Sequence, residues 1–302
     1  MLIYLMRASV GMMVFAAMCH ASFAQSDATD SVAIATAPRA PSPPSLQACM
    51  WIWDKDGATE YRYAVDLDKE KVGPEKTSRT PANQVPECAK PRVERKKRDG
   101  EAYGRIVGRL ENRSGTAKVD SNLLRMVRWI EESTKSGYSR DNWIITSPDG
   151  AYAVFAAHDE PFLLIDIATL GTRVLAQPAR RATPVAWSPD SRLVAFAPPD
   201  TDKIEIYSVK ELVTVSTKAG AGPWVVALSW SPDMQRVAAF GLHNRRMNKT
   251  PLGLLAAGAG HPEFRNDGIV TVYGLSDETR LSLVLKRDIS EWGSPAVEIE
   301  WK

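Results

Sequence analysis

Few residues in this chain combine the types and the spacing that catalysis or metal binding requires. Outside the first 24 residues only three histidines occur, at His158, His243 and His261. His243, His261 and Glu263 share one segment and offer zinc ligands, but their spacing matches no known metal site. The chain also lacks a Gly-x-Ser-x-Gly elbow and a glycine-rich phosphate loop. We therefore expect exposed polar residues here, with no catalytic residue, metal or cofactor.

The first 24 residues are typical of a secretory signal peptide. Arg7 supplies a positive charge, a short apolar run follows, and small residues precede Gln25. The run is too short to span a membrane. We expect cleavage after Ala24 and a periplasmic or secreted mature protein without a transmembrane span. Lipidation of Cys19 is the alternative, although the residue before such a cysteine is usually smaller than methionine.

Cleavage after Ala24 leaves two cysteines, Cys49 and Cys88. An isolated pair in an oxidising compartment predicts a disulfide, which closes a loop of about 40 residues and stabilises the fold by roughly 3–4 kcal/mol. The alternative is a pair of buried free thiols. A zinc site is disfavoured because the spacing of the two residues matches no metal motif.

The overall composition is that of an ordinary soluble globular protein. Of the 302 residues, 44% are hydrophobic and 25% are charged, and the net charge of +2 indicates no general affinity for nucleic acid. The predicted segments are a signal peptide (1–24), a tether rich in proline and alanine (25–46), an N-terminal segment (47–135) and a repeat region (136–302).

The N-terminal segment carries three local signals and a polar stretch. Residues 47–70 alternate like a β-hairpin, and residues 103–110 resemble a further strand. Between them lies a basic run from Lys90 to Arg98, for which a solvated loop is the preferred interpretation because no aromatic residues interleave with it. Asp120 or Ser121 can cap one short helix. Its apolar stripe, spaced for one helix face, is formed by Leu123, Met126, Val127 and Ile130.

A phrase of three residues recurs through the second half of the chain. The copies are Ser147-Pro148-Asp149, Ser188-Pro189-Asp190 and Ser231-Pro232-Asp233, at intervals of 41 and 43 residues. Each copy follows a short apolar strand and precedes another, and serine followed by proline favours a type I turn. A period near 42 residues is typical of β-propeller blades. These residues are therefore expected to serve the turns and the packing rather than a binding site.

Trp-Ser-Pro-Asp followed by Leu-Val-Ala-Phe, at residues 187–190 and 193–196, resembles the WD-repeat-like blade of TolB-type β-propellers. The resemblance covers about residues 142–301. It implies an all-β propeller of four-stranded blades, of a kind that commonly serves as a periplasmic protein-interaction platform. Similar blades also precede the hydrolase domain of prolyl-oligopeptidase-like enzymes, but no region of that size follows the blades here.

Three blades are clear, whereas closed propellers have four to eight. The preferred interpretation is that residues 297–302 form the inner strand of a composite fourth blade, whose outer strands come from residues 47–70 and which the disulfide fastens. Trp51, Trp53 and Trp301 are then expected to share a core. The alternative is a truncated product with an exposed inner edge.

Loops on one face of the blades form the best candidate for a binding site. The third blade carries an insertion from His243 to Asn266 on that face, and nearby loops carry tryptophan and arginine, which are enriched in interface hot spots. The candidate partner-binding residues are Arg180, Arg181, Trp224, Arg245, Arg246 and Trp292. The alternative is that the tryptophans lie flat against their blades.

The expected function is that of an extracytoplasmic β-propeller that binds another protein, as a scaffold or interaction module without catalysis. Two alternatives stay open. One is an inhibitor or immunity-type protein that occludes a secreted enzyme. The other is an enzyme that uses the propeller face, such as a lyase or dehydrogenase, which requires histidine and acidic residues to converge at the channel mouth.

Overall fold

The computed structural model describes residues 45–113, 119–136, 143–178, 184–198, 201–220, 224–246, 264–276, 279–290 and 296–302. Within these ranges the chain forms four antiparallel sheets and two α-helices. The predicted signal peptide and nearly all of the predicted tether lie outside the described residues.

The strands and helices follow one another in a regular order along the chain. Strands β1 to β4 are Leu46–Asp54, Gly57–Asp66, Lys71–Val72 and Lys76–Pro81. Helices α1 and α2 are Lys90–Glu111 and Ser121–Lys135. Strands β5 to β8 are Ile144–Thr146, Tyr152–Phe155, Phe162–Asp166 and Thr172–Ala176. Strands β9 to β12 are Val185–Trp187, Leu193–Phe196, Lys203–Ser208 and Val213–Ala219. Strands β13 to β17 are Val225–Trp230, Arg236–Arg246, Phe264–Gly274, Arg280–Ser290 and Ala296–Trp301.

The three predicted repeats are confirmed as three four-stranded sheets. We call them the first sheet (β5–β8), the second sheet (β9–β12) and the third sheet (β13–β16), and in each the strands are neighbours in chain order. The Ser-Pro-Asp phrase connects the inner strand to the second strand every time. The alanines of the second strands, Ala153, Ala195 and Ala239, are fully buried, as expected where blades converge on a narrow centre.

Consecutive sheets pack face to face through apolar side chains. Phe162 and Leu164 of the first sheet pack against Val194 and Phe196 of the second sheet. A second cluster joins the second sheet to the third, and its buried members are Ala195, Ile204, Ile206, Trp230, Val237, Ala239 and Tyr273. The succession of sheets about one centre is the β-propeller arrangement that the repeat predicts.

The fourth sheet is composite, as predicted. Its strand order is β17-β1-β2-β3, with β4 also paired to β2. β17 pairs antiparallel with β1, from Leu46 opposite Trp301 to Trp51 opposite Ala296. This composite sheet packs against the third sheet through a buried cluster that includes Met50 and Phe240. The strand near the end of the described chain therefore supplies the inner strand of the fourth blade.

The predicted disulfide is confirmed, and its position is more specific than expected. Cys49 lies on β1 and is bonded to Cys88, with the two Cα atoms 5.8 Å apart. Cys88 belongs to a short 3-10 turn, Glu87–Ala89, that leads directly into α1. The bond therefore fastens the turn that precedes α1 to the composite sheet.

The expectation that three tryptophans share a core is wrong. Trp51 is buried beside the disulfide, whereas Trp301 packs against the cluster between the third and composite sheets. Trp53 is 50% exposed near the tip of the β1–β2 hairpin. The reason is the strand period: Cys49, Trp51 and Trp53 share one face of β1, while Leu46, Ala48 and Met50 face the third sheet.

The helical part of the molecule departs most from the expectations. The predicted α2 is confirmed, with Asp120 as its N-cap: the Asp120 side chain accepts a hydrogen bond from the Asn122 N–H at 2.8 Å. Two expectations for this segment are wrong. The basic run expected in a loop and the residues 103–110 expected in a strand both belong to the 22-residue helix α1. Neither helix of the described residues is long and apolar enough to cross a membrane.

Helix α1 lies between the composite sheet and the first sheet, and α2 packs with it against the first sheet. Tyr103 and Ile106 of α1 and Met126 of α2 are buried against Ile144 and Phe155 of the first sheet. The other side of α1 reaches the composite sheet through the disulfide and an ion pair from Arg95 to Glu298. Helix α1 therefore occupies the junction between the composite sheet and the first sheet.

Candidate functional site

The repeated Ser-Pro-Asp residues form the same hydrogen-bonded turn three times. In the first copy the Ser147 hydroxyl donates to Asp149 at 2.6 Å and accepts from the Tyr152 N–H at 3.0 Å. The second and third copies repeat both bonds, with serine-to-aspartate distances of 2.6 and 2.5 Å. The three serines are buried. The phrase is therefore a structural turn, as predicted.

These bonds also set the protonation of the aspartates. Burial alone would raise the pKa of Asp149, Asp190 and Asp233, but donation from the serine hydroxyls and from backbone N–H groups outweighs it. The pKa of each carboxyl therefore lies below its ordinary value. The turns require charged aspartates, which makes them sensitive to acid.

The tryptophans before the turns tie each sheet to the preceding sheet. The Trp187 Nε1–H donates to the carbonyl of Ile145 at 3.0 Å, across the junction between the first and second sheets. The Trp230 Nε1–H donates to the Ala186 carbonyl at 2.9 Å across the next junction. Trp301 makes the equivalent bond to Ser229 at 3.3 Å, which identifies β17 as a further copy of the inner strand.

The fourth junction uses helix α1 in place of a tryptophan. Thr146 occupies the position of Trp187 and Trp230 in the repeat, and its N–H donates to the Asp99 carboxylate of α1 at 2.8 Å. Asp99 and Glu298 are both buried, and burial raises the pKa of both carboxyls despite nearby arginines and hydrogen-bond donors. Two buried carboxylates therefore hold α1 between the composite sheet and the first sheet.

The chain direction gives the propeller two unlike faces. The Ser-Pro-Asp turns and the β7–β8, β11–β12 and β15–β16 connections lie on one face, which we call the turn face. The connections between second and third strands lie on the other, the insertion face, together with the tip of the β1–β2 hairpin. Of the sequence-predicted partner-binding residues that the structure describes, Trp224, Arg245 and Arg246 lie at the insertion end of the third sheet.

The third sheet extends far beyond the first and second sheets on the insertion face, about as far as the β1–β2 hairpin of the composite sheet. β14 and β15 have 11 residues each, whereas β6 and β10 have 4 each. Because β14 begins at the same distance from its turn as β10, the extra residues all lie at the insertion end, where they span about 20 Å. The ends of the predicted insertion, His243 to Asn266, therefore form the stem of a hairpin. Its strands pair as far as Arg246 opposite Phe264.

The structure describes some of the predicted binding residues fully, some only in their backbone, and some not at all. Trp224 lies just before β13, where it is partly buried against the cluster between the third and composite sheets, and its carbonyl accepts from the Leu242 N–H at 2.8 Å. Arg245 and Arg246 lie in the extended part of β14, and their side chains lie outside the described residues. Arg180, Arg181 and Trp292 lie outside the described residues entirely.

Two groups of exposed residues were not predicted as candidates. Trp53 lies near the hairpin tip on the insertion face, where an exposed tryptophan is a typical interface residue. Arg105, Arg109 and Arg113 are exposed along the C-terminal part of α1. Their spacing of four residues is visible in the sequence, but it has meaning only once the segment is known to be a helix.

Among the described residues, neither His158 nor His243 belongs to a group of three potential metal ligands. His158 packs against the rings of Trp129 and Trp143, with centroids 5.5 Å away, and His243 lies on β14 opposite Asp267. His261 and Glu263 lie outside the described residues. Within the described part, the one group of potential metal ligands comprises Glu60 and the two disulfide cysteines.

That group is structural. A metal ion binds thiolates, and both sulfurs are committed to the disulfide. Glu60 is almost fully buried and accepts hydrogen bonds from the Thr80 hydroxyl and from the Cys88 N–H. Burial raises the pKa of Glu60, but these donors and Arg62 outweigh it and the pKa is lowered. Its charged carboxylate holds the segment that carries Cys88.

Comparison with protein-family models and with curated proteins gives no match. Among solved structures, the Cps50 (Swd1) β-propeller domain of Myceliophteria thermophila is 12% identical, with a TM-score of 0.32, over 47% of this chain and 38% of that one. Hydrazine synthase of Kuenenia stuttgartiensis is 14% identical, with a TM-score of 0.34, over 49% and 36%. A chain of a mitotic checkpoint complex is 18% identical, with a TM-score of 0.33, over 49% and 39%. This chain thus matches less than two fifths of each, and such similarity identifies neither a family nor an activity.

Proposed function

We propose that this protein is an extracytoplasmic β-propeller that binds another protein through its insertion face and has no catalytic activity of its own. The observation that carries the proposal is the extension of the third sheet. Its stem reaches about 20 Å beyond the first and second sheets and ends about level with the β1–β2 hairpin of the composite sheet. Loops held by a rigid scaffold are common binding sites.

The residue types on this face support binding rather than a purely structural extension. Trp53 is half exposed, and Arg245 and Arg246 end the stem. Tryptophan and arginine contribute most to interface hot spots. The disulfide supports the extracytoplasmic part of the proposal, because such bonds persist in oxidising compartments.

The proposal is tested by capture of the partner from a periplasmic extract with the purified protein as bait. We expect the Arg245→Ala/Arg246→Ala variant and the Trp53→Ala variant each to recover at least about tenfold less partner, since truncation of a hot-spot residue costs about 2 kcal/mol or more. Lys69→Ala/Lys71→Ala is the matched control, because it also removes two positive charges but does so near the turn face.

The variants must retain the wild-type thermal transition for the comparison to hold. Equal recovery by the Arg245→Ala/Arg246→Ala variant, the Trp53→Ala variant and the control would contradict the insertion-face assignment. Retention of the protein in the cytoplasm with both cysteines reduced would contradict the extracytoplasmic location.

A further inference from the structure

Three arginines follow one another at four-residue intervals along the end of α1. Arg105 and Arg109 lie in its last two turns, and Arg113 follows the C-cap Asn112. Four residues of helix rise about 6 Å and turn slightly more than once, so the Arg105 and Arg109 side chains leave the helix on one side. All three arginines are exposed. The spacing therefore sets the charges of Arg105 and Arg109 about 6 Å apart on the turn face, and Arg113 lines the same groove beyond the C-cap.

The arginines line one wall of an open groove of about 720 Å³. The opposite wall is the β7–β8 turn, residues 168–170, and the Arg109 Nη1 donates to the Ala168 carbonyl at 3.4 Å. The lining residues include no carboxylate. Asp166, near the end of β7, accepts instead from the Ala168 and Thr169 N–H groups. The groove thus concentrates positive charge without an internal counter-charge.

The glycine of the first turn provides an independent observation. The fourth position of the three turns has a positive φ in every copy, +71° at Gly150, +64° at Ser191 and +59° at Met234. The backbone conformation therefore does not require glycine at this position. At Gly150, however, a Cβ atom would lie 3.2 Å from Nη2 of Arg105. The missing side chain leaves the space in which the Arg105 guanidinium lies.

The groove continues beyond Thr169 into a second cavity of about 640 Å³ between the first and second sheets. The basic residues that line this cavity are Arg173, Arg192 and Lys210, and its acidic residues are Asp149, Asp166 and Asp190. Each of the three aspartates already accepts hydrogen bonds within its own turn. The two cavities share Thr169, and together they have room for a peptide segment rather than a single compact ion.

We propose that this arginine groove binds an acidic, extended segment of a partner protein. Arginine pairs with carboxylates through parallel hydrogen bonds. In an extended peptide, every second side chain points the same way and lies about 6.7 Å from the next, which approximates the arginine spacing. A single nucleic-acid strand also carries regular charges, but the described lining of the arginine groove contains no aromatic ring on which bases stack.

This inference goes beyond the proposed function, because it concerns the turn face and a defined ligand chemistry. The probe is a fluorescein-labelled peptide of twelve residues in which glutamate and serine alternate, measured by fluorescence anisotropy with the purified protein. We expect binding that weakens with added salt. We also expect no binding of the corresponding lysine–serine peptide and weaker binding of a thymidine oligonucleotide of equal length.

Matched variants distinguish specific binding in the groove from general electrostatic attraction to a basic helix. Arg105→Gln/Arg109→Gln is expected to weaken binding of the acidic peptide at least about tenfold. Lys97→Gln/Arg98→Gln, which removes the same charge from exposed positions on the same helix, is expected to change it less than about twofold. Equal losses in the two variants, no binding of the acidic peptide, or tighter binding of the oligonucleotide would each overturn the proposal.

Two further variants complete the test. Gly150→Ser reproduces the turn sequence of the second copy, so it is expected to fold, yet it places a side chain against Arg105 and should weaken binding severalfold. Wild-type affinity in Gly150→Ser would contradict the role assigned to Arg105. Arg245→Ala/Arg246→Ala is expected to bind the acidic peptide normally, which distinguishes failure of this inference from failure of the insertion-face proposal.

Discussion

The tryptophan hydrogen bonds between sheets make a prediction that can be worked out from the structure. Trp187 and Trp230 are 9% and 6% exposed, and each donates its indole N–H to a carbonyl of the preceding sheet. Replacing either residue by phenylalanine keeps an aromatic ring in the junction but removes this donor. The carbonyl on the preceding sheet then loses its partner in a partly buried position.

The expected destabilisation has two parts of similar size. Losing one hydrogen bond costs about 0.5–1.5 kcal/mol. Losing part of a buried aromatic side chain costs about 1 kcal/mol, a fraction of the roughly 3–5 kcal/mol for complete truncation. Trp187→Phe and Trp230→Phe should therefore each lower the free energy of unfolding by about 1.5–2.5 kcal/mol and lower the Tm by about 3–8 °C.

The assay is urea unfolding followed by tryptophan fluorescence and circular dichroism, with Trp53→Phe as the control. Trp53 is half exposed and lies outside every junction, so its replacement should change the free energy by less than about 0.5 kcal/mol. Replacing the indole N–H of Trp187 by sulfur, in benzothienylalanine, preserves the ring shape and should show the hydrogen-bond part alone. If Trp187→Phe and Trp230→Phe match Trp53→Phe, the junction bonds do not hold the sheets together.

Two further predictions concern the disulfide and acid. Cys49→Ser/Cys88→Ser should lower the free energy of unfolding by about 3–4 kcal/mol, because the bond closes a loop of about 40 residues. It should also speed amide exchange first in residues 90–98 of α1, so an unchanged Tm with unchanged exchange would contradict this prediction. The lowered pKa values of Asp149, Asp190 and Asp233 give stability that is complete above about pH 5 and is lost as the pH falls below the unfolded value of about 3.9. Replacing all three by asparagine should flatten the dependence of Tm on pH between 5 and 3, and an unchanged slope would show that other groups control acid unfolding.

The sheets could be predicted from the sequence because their signals are local. Each Ser-Pro-Asp phrase determines its own turn through bonds that span five residues, from Ser147 to Tyr152 in the first copy. Strand alternation then determines which side chains face the next sheet. The composite sheet was also predictable. The inner strand at residues 297–302 needs a neighbouring strand to pair with, and the hairpin predicted around Cys49 has a strand edge that can supply it.

Helix α1 was missed because its signals conflict. Pro91 and the glycines at positions 100, 104 and 108 lower helix propensity, and the run of basic residues suggested a loop. The spacing of Tyr103, Ile106, Val107 and Leu110 nevertheless fits one helix face, and all four contribute to the cluster against the first sheet. Only tertiary contacts, including the burial of Asp99 against Thr146, decide between strand and helix here.

The candidate sites were only partly predictable for the same reason. The insertion was visible as a departure from the repeat length, but the strand pairing that turns its ends into a stem depends on residues 18 or more apart in the chain, such as Arg246 and Phe264. The arginine groove requires α1 to lie beside the β7–β8 turn, 59 residues away between Arg109 and Ala168. Neither arrangement follows from local sequence.

Both proposed binding surfaces occur where the repeat symmetry breaks, and the energetics explain why. A residue that recurs among the repeats, such as the serine of the turns or the tryptophan of the second and third copies, has its polar atoms committed to bonds that hold the sheets. Changing it costs stability in the ring, so it is poorly suited to recognise a ligand. The extension of the third sheet is not required to join the sheets in this way. At the junction between the composite sheet and the first sheet, helix α1 takes the place of a tryptophan, and its exposed side is not required to join them either. The exposed Trp53 of the composite sheet and the exposed arginines at the end of α1 can change with little effect on folding, and they are therefore positions where a change in sequence should alter binding alone.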